Sequence, residues 1–184
     1  MRSFLRERGP ALAAALAVAG LCIVTFIVRC RYLLATPYPL GVDGHWYPVQ
    51  LRSLFESGQL AYPSAPLVLW LMAPLAFFTD PVVGAKLGAA AGTTAMIIPA
   101  YLLGKRLTGE RAPALLAAVL AASSAESFYL STEFVKEGVG LTLAAGFLAA
   151  LAAALDRPTR GRVALSLLLL LATLLAHKSA FGLA

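Results

Sequence analysis

Charged side chains are scarce in this sequence: they make up 13% of its 184 residues, whereas apolar residues make up 60%. A chain with this composition and a mean hydropathy of +0.80 is typical of a protein with several membrane spans, and a soluble domain is excluded. Cysteine is also rare, with only Cys22 and Cys30 present. Eight residues of helix would hold these two about 12 Å apart, which is too far for a disulfide.

The sequence lacks the short motifs by which many enzymes are recognised. It has no P-loop, no dinucleotide fingerprint, no zinc-spaced cysteine and histidine set and no nucleophile elbow. The net charge of +6 does not indicate nucleic acid, because the basic residues form short clusters between apolar runs. Such clusters are the orientation signal of membrane loops. We therefore expect no nucleic-acid partner.

The apolar runs predict an all-α, polytopic membrane protein with about five transmembrane helices. The spans are predicted at about 11–28, 82–103, 112–130, 138–155 and 163–176. Basic residues precede the first run, which is long and is followed by Arg29-Cys30-Arg31, so a retained span is favoured over a cleaved signal peptide. Gly84, Gly88 and Gly92 lie on one face of the second span and predict close helix packing.

The segment at about 29–81 is predicted to be an outer loop that carries two interfacial helices. Residues 46–57 place apolar side chains at helical spacing with polar ones opposite, as in a helix that lies along a bilayer. Residues 66–78 are strongly apolar but short for a span. If they crossed, the basic clusters at 105–111 and 157–162 would both be exported, against the positive-inside tendency. We therefore expect a cytoplasmic N-terminus in the plasma membrane.

Ionisable residues from three separate connections gather on the predicted outer face. They are Asp43 and His45, then Glu126, Glu133, Lys136 and Glu137, then His177 and Lys178. Such groups are costly to bury at a membrane boundary and usually have a partner or a function. Acid, imidazole and amine together suit general-base or metal chemistry beside an anionic ligand. The alternatives are that Asp43 caps a helix, that the glutamates and Lys136 are solvated, and that Lys178 snorkels.

Several features follow one another in a definite order. They are Asp43 and Tyr47 after the first span, Leu54-Phe55-Glu56-Ser57-Gly58, a surface helix beginning at Pro66, Tyr101-Leu-Leu-Gly-Lys-Arg-Leu-Thr-Gly109 at the end of the second span, Glu137 opening the fourth span and Lys178 after the fifth. This order resembles the N-terminal part of the GT-C glycosyltransferases, which include the protein O-mannosyltransferases, the aminoarabinose transferases of lipid A and the catalytic subunit of oligosaccharyltransferase. These membrane enzymes take a sugar from a polyprenyl-phosphate carrier on the outer face.

The resemblance implies transfer of a sugar from a polyprenyl-phosphate donor to a protein, glycan or lipid acceptor. Asp43 would be the general base and Glu137 the second acid, and both would bind Mg²⁺ or Mn²⁺ in a metal-dependent member. The residues expected to bind substrate are His45, Tyr47, Lys136, His177 and Lys178, with Lys178 near the carrier phosphate. His45 departs from the family, which often has a second acid or a basic residue there. The family usually has eight or more spans, so residues 1–184 are expected to be a module of a longer enzyme.

Two other functions stay open. A non-catalytic membrane subunit, or a lipid-binding partner of a larger complex, is favoured by the small number of spans. A small transporter would place polar residues and broken helices near the midplane, whereas here the ionisable residues gather at the outer boundary.

Overall fold

The computed structural model describes the backbone of residues 2–177 and the side chains of residues 9–177. Over this range the chain is helical and has no strand, which confirms the predicted all-α class. The helices are α1 (Arg2–Leu33), α2 (Trp46–Ser57), α3 (Leu67–Phe78), α4 (Pro81–Thr94), α5 (Ile97–Thr108), α6 (Arg111–Ser123), α7 (Ala125–Thr132), α8 (Val135–Asp156) and α9 (Arg160–Ala176).

Three helical stretches are long and apolar enough to cross a membrane: Gly9–Leu33, Pro81–Thr108 and Val135–Asp156. The second of these combines α4 and α5. Helices α6 and α7 pass the same test together, but they meet at a bend of 43°. The described part of the chain therefore has three candidate spans, or four if the bent pair is one span, and this number fits a multi-pass membrane protein.

The first helix ends later than the sequence predicts, and two of the other helices are short. Helix α1 continues to Leu33, so the predicted start of the outer loop at residue 29 lies inside a helix. Helix α9 has 17 residues and α3 has 12, which makes both shorter than the three candidate spans. By length and composition, neither of these two helices is a candidate span on its own.

Small residues allow the helices to approach closely, as the glycine face of the second span predicts. A Cβ atom on Gly84 would lie 2.2 Å from the Cα atom of Ala76, so α3 and α4 are almost in backbone contact there. A Cβ atom on Gly92 would lie 2.5 Å from a methyl group of Val139, which brings α4 against α8. Close approach of this kind is the usual means of packing helices that cannot rely on water to drive them together.

The largest buried cluster lies at one end of the bundle, which we call the site end. It joins the end of α1, the helices α2, α3 and α4, the start of α8 and the end of α9. Its fully buried members include Leu51, Leu69 and Ala176. This cluster holds three connections of the chain beside one another: residues 34–45, residues 58–66 and the junction between α7 and α8.

Candidate functional site

Tyr47 is the buried centre of the site end. It lies in the first turn of α2 and is 2% exposed. Its hydroxyl oxygen accepts a hydrogen bond from the backbone N–H of Lys136 at 3.1 Å. That N–H belongs to the first turn of α8, where the backbone has no partner within the helix. Tyr47 therefore joins the start of α2 to the start of α8.

Burial raises the pKa of the Tyr47 hydroxyl well above its ordinary value, so the group stays neutral. The hydrogen bond from Lys136 acts in the opposite direction, whereas the carboxylates of Asp43 and Glu137 raise the pKa further. Both carboxylates are therefore close enough to influence the same hydroxyl. The two acids come from connections that are more than 90 residues apart in the sequence.

The side chain of Lys136 is half-buried and is held by two segments of the chain. Its Nζ atom donates a hydrogen bond to the Oγ atom of Ser64 at 3.0 Å. The same ammonium lies 4.2 Å from the centre of the Trp46 ring, where the negative face of the aromatic system attracts a cation. Lys136 is therefore an ordered cation and not a solvated loop charge.

Glu137 and His177 meet beside Lys136. The Nε2 atom of His177 lies 3.3 Å from the Oε1 atom of Glu137, and both side chains are partly exposed. His177 directly follows the last turn of α9, so this contact joins the end of α9 to the start of α8. The Nδ1 atom of the same ring is buried and has no hydrogen-bond partner among residues 9–177.

An open cavity with a volume of about 610 Å³ lies next to these groups. It is lined by Pro63, Ser64, Ala65, Lys136, Leu174, Leu175 and His177. One wall carries an amine and an imidazole, and the other walls are mostly apolar. A cavity of this size and character suits a ligand with an anionic group attached to an apolar part.

Asp43 lies in the 34–45 connection, half-buried and next to the start of α2. Its backbone carbonyl accepts a hydrogen bond from Trp46 N–H at 3.0 Å, but its carboxylate does not cap α2. The capping alternative is therefore wrong. Asp43 does not line the cavity of about 610 Å³.

The other predicted site residues have different surroundings. His45 is exposed, and its side chain makes no hydrogen bond within residues 9–177. Glu126 is exposed in the first turn of α7 and lines a separate, open cavity of about 850 Å³ between α1 and the bend of α6 and α7. Lys178 lies outside the described residues. The structure thus brings Tyr47, Lys136, Glu137 and His177 together and leaves His45 at the surface.

The resemblance to the GT-C enzymes implies a divalent metal in some members, with Asp43 and Glu137 as its ligands here. Mg²⁺ and Mn²⁺ prefer several oxygen ligands arranged close together. Over the described range, no three side chains of histidine, cysteine, aspartate or glutamate are placed to hold a metal ion. These residues do not by themselves fit a metal.

Sequence reasoning missed the contacts of Ser64, Trp46 and Arg29. The Arg29 guanidinium is 1% exposed and donates to the Oγ atom of Ser127 at 2.6 Å, which fixes the end of α1 against α7. The only feature of the sequence that pointed to Arg29 is its place among the basic residues after the first apolar run. That feature predicts the start of a loop and not a buried contact. Ser64 lies in an irregular segment that has no periodicity to reveal its partner.

Comparison of the chain with protein-family models, with curated proteins and with solved structures finds no match.

Proposed function

We propose that this chain is the N-terminal membrane module of a glycosyltransferase that uses a polyprenyl-phosphate-linked sugar on the extracytoplasmic face. The observation that supports this most is that Lys136 and His177 line an open cavity with mostly apolar walls, while Glu137 contacts His177 beside it. A lipid-linked phosphate has the matching chemistry, because its phosphate needs cations and its chain needs an apolar surface. The resemblance of the feature order to the GT-C enzymes points in the same direction.

The proposed topology has five spans. Helix α1, the pair α4 and α5, the bent pair α6 and α7, and α8 are four of them, and α9 is the fifth. Helices α2 and α3 lie along the outer surface, since export of both later basic clusters would oppose the positive-inside tendency. The site end is then extracytoplasmic, at the depth of the lipid headgroups.

The proposed reaction is an attack by an acceptor nucleophile on the anomeric carbon of the donor sugar. The bond from that carbon to the phosphate oxygen breaks as the bond to the acceptor forms, with inversion. Asp43 takes the acceptor proton, and the departing phosphate keeps the electron pair. Lys136 stabilises the charge that develops on the phosphate. His177 lies on the same wall, where its ring contacts Glu137 and offers a further polar group beside the phosphate.

The test is the substitution Asp43→Asn in the full-length protein, assayed in membranes with a polyprenyl-phosphate sugar. The amide has the size of the carboxylate but does not accept a proton, so we expect transfer to fall by at least about 100-fold. Glu56→Gln is the matched control, because it removes the same charge from an exposed position on α2. Undiminished transfer by Asp43→Asn, with the protein inserted and abundant, would exclude Asp43 as the general base.

A second function is a lipid-binding subunit without catalysis, and the position of Asp43 outside the cavity lining favours it. In such a subunit Lys136 and His177 would hold the phosphate of a lipid, and a partner would supply the chemistry. The two functions differ in their response to Asp43→Asn. In the transferase the substitution abolishes turnover and preserves donor binding, whereas in the subunit it preserves donor binding and leaves the turnover of the partner unchanged.

A further inference from the structure

The connection that carries Asp43 has no regular structure, yet one side chain from a distant part of the chain holds it. The backbone N–H of Val42 donates a hydrogen bond to the Oε2 atom of Glu133 at 2.7 Å. These residues are 91 positions apart in the sequence. A hydrogen bond from a backbone N–H to a carboxylate is stronger than one between neutral groups. The donor of this hydrogen bond, Val42, directly precedes Asp43 in the sequence.

The backbone of the same connection also packs against the end of α7. Gly41 has a φ angle of +81°, which favours glycine, and a Cβ atom there would lie 2.1 Å from the carbonyl oxygen of Thr132. Glu133 is the residue that ends α7, and its own N–H donates to the carbonyl of Tyr129 at 2.9 Å. The Glu133 carboxylate is therefore attached to a fixed helix end. The backbone of the 34–45 connection packs directly against the same helix end.

Glu133 and Glu137 have different partners although they are only four residues apart in the sequence. Glu137 contacts His177 beside the cavity. Glu133 is occupied by the backbone of the outer loop and does not line the cavity of about 610 Å³. From this division we infer that Glu133 is a positioning residue, which holds the 41–43 backbone and thereby sets the position of Asp43. The inference rests on the proposed role of Asp43 as the general base.

The consequence for catalysis follows from the geometry of proton transfer. A misplacement of a reacting group by 1 Å lowers a rate by about 100-fold, even when no reacting atom is removed. Loss of the Glu133 carboxylate should therefore lower kcat while leaving the KM for the lipid-linked donor unchanged, because the cavity is intact. Glu133→Gln keeps an oxygen that can accept the Val42 N–H, so it should retain most of the activity.

The experiment compares Glu133→Ala, Glu133→Gln and the exposed control Glu126→Gln in the full-length protein. Hydrogen exchange at the Val42 amide reports the contact without any assay of transfer, and we expect it to become at least about tenfold faster in Glu133→Ala. In the same variant kcat should fall by about 100-fold. In Glu133→Gln, exchange at Val42 should stay within about threefold of the parent, because residue 133 still contacts the loop. In Glu126→Gln, exchange should not change, because Glu126 does not contact the loop.

Two outcomes would overturn the inference. One is unchanged exchange at Val42 in Glu133→Ala. The other is a Glu133→Gln variant that loses transfer as completely as Asp43→Asn while its exchange stays normal, which would make Glu133 a proton-transferring acid. If Glu133→Ala does not insert, Glu133→Gln still decides between these roles. If Asp43→Asn keeps full transfer, the proposed function fails, whereas the exchange measurement still tests whether Glu133 holds the loop.

Discussion

The two ends of the helix bundle use their charged residues in different ways. At the site end, Lys136 is half-buried between Ser64 and Trp46, and Glu137 contacts a histidine from another connection. The opposite end contains the connections 109–110 and 157–159 and the charged residues on either side of them. Arg106 forms an ion pair with Asp156, whose side chain is 68% exposed. Lys136 therefore has a hydroxyl and an aromatic ring as partners, whereas Arg106 pairs with a carboxylate that is mostly exposed.

The partners of these charges differ as well. At the opposite end they are mostly helix-terminal carbonyl groups: Arg106 donates to the carbonyl of Ala152 at 2.9 Å, and Arg162 donates to that of Ala153 at 2.9 Å. Cations are favourable near the C-terminus of a helix, because the last carbonyls are unsatisfied and the helix dipole is negative there. These contacts complete helix ends. The contacts at the site end surround a cavity, and this difference is the reason to place function there.

The largest expected effect concerns the side of the membrane on which each end lies. In a variant without Cys22 and Cys30, single cysteines would replace Val42 at the site end and Leu107 at the opposite end, whose side chains are 83% and 84% exposed. A maleimide that does not cross membranes should label position 42 on intact cells, and position 107 only after the membrane is opened. The expected difference is all or none.

This labelling also tests the interfacial placement of α3. If α3 crossed the membrane, the next span would run in the opposite direction, and positions 42 and 107 would lie on the same side. Equal labelling of both positions on intact cells would contradict the proposed topology. Labelling of both after permeabilisation is the control, because it shows that each cysteine is accessible to the reagent.

The next largest effect is expected for Lys136→Met, which keeps the length of the side chain and removes its charge. The ammonium faces the cavity, so its loss should weaken binding of the lipid-linked phosphate by about 10- to 100-fold, the range for a hydrogen bond to a charged group. The measurement is the KM for the donor, or donor binding in vesicles. Arg106→Met is the matched control at the opposite end. Unchanged donor binding in Lys136→Met would remove the cavity from the proposed site.

The helical class and the convergence of the loops follow from simple patterns, whereas the contacts that complete the site do not. Apolar runs and basic clusters determine which segments are helices and which connections share a face, so Lys136, Glu137 and His177 were all candidates from the sequence. The periodicity of apolar residues in the sequence does not reveal which residues these side chains contact. Ser64 lies in an irregular segment, and Glu133 lies at the break between α7 and α8. Only tertiary structure shows that its carboxylate binds the backbone 91 residues earlier.

The first helix shows a second limit of such patterns. The apolar run ends at Val28, and the next residue is arginine, which indicates the end of a span. In the structure the helix continues to Leu33, and Arg29 is buried against Ser127. Tertiary packing gives the Arg29 guanidinium a polar partner, Ser127, which a hydropathy profile cannot predict. The position of a charge in the sequence therefore gives the approximate end of a span, but not the burial of the charged group.

The smallest effect is expected for the ion pair at the opposite end. Because exposed pairs contribute between 0 and about 1 kcal/mol, a double-mutant cycle with Arg106→Met and Asp156→Asn should give a coupling free energy below about 1 kcal/mol. The guanidinium keeps its hydrogen bond to the Ala152 carbonyl when the carboxylate is lost, which further limits the effect of Asp156→Asn. The measurement is the free energy of unfolding in detergent, with transfer assayed in parallel and expected to stay within twofold, roughly the change that an exposed substitution makes. A coupling several times larger, or a loss of transfer, would mean that the opposite end is as specifically built as the site end. The contrast between the two ends would then no longer indicate where the chemistry occurs.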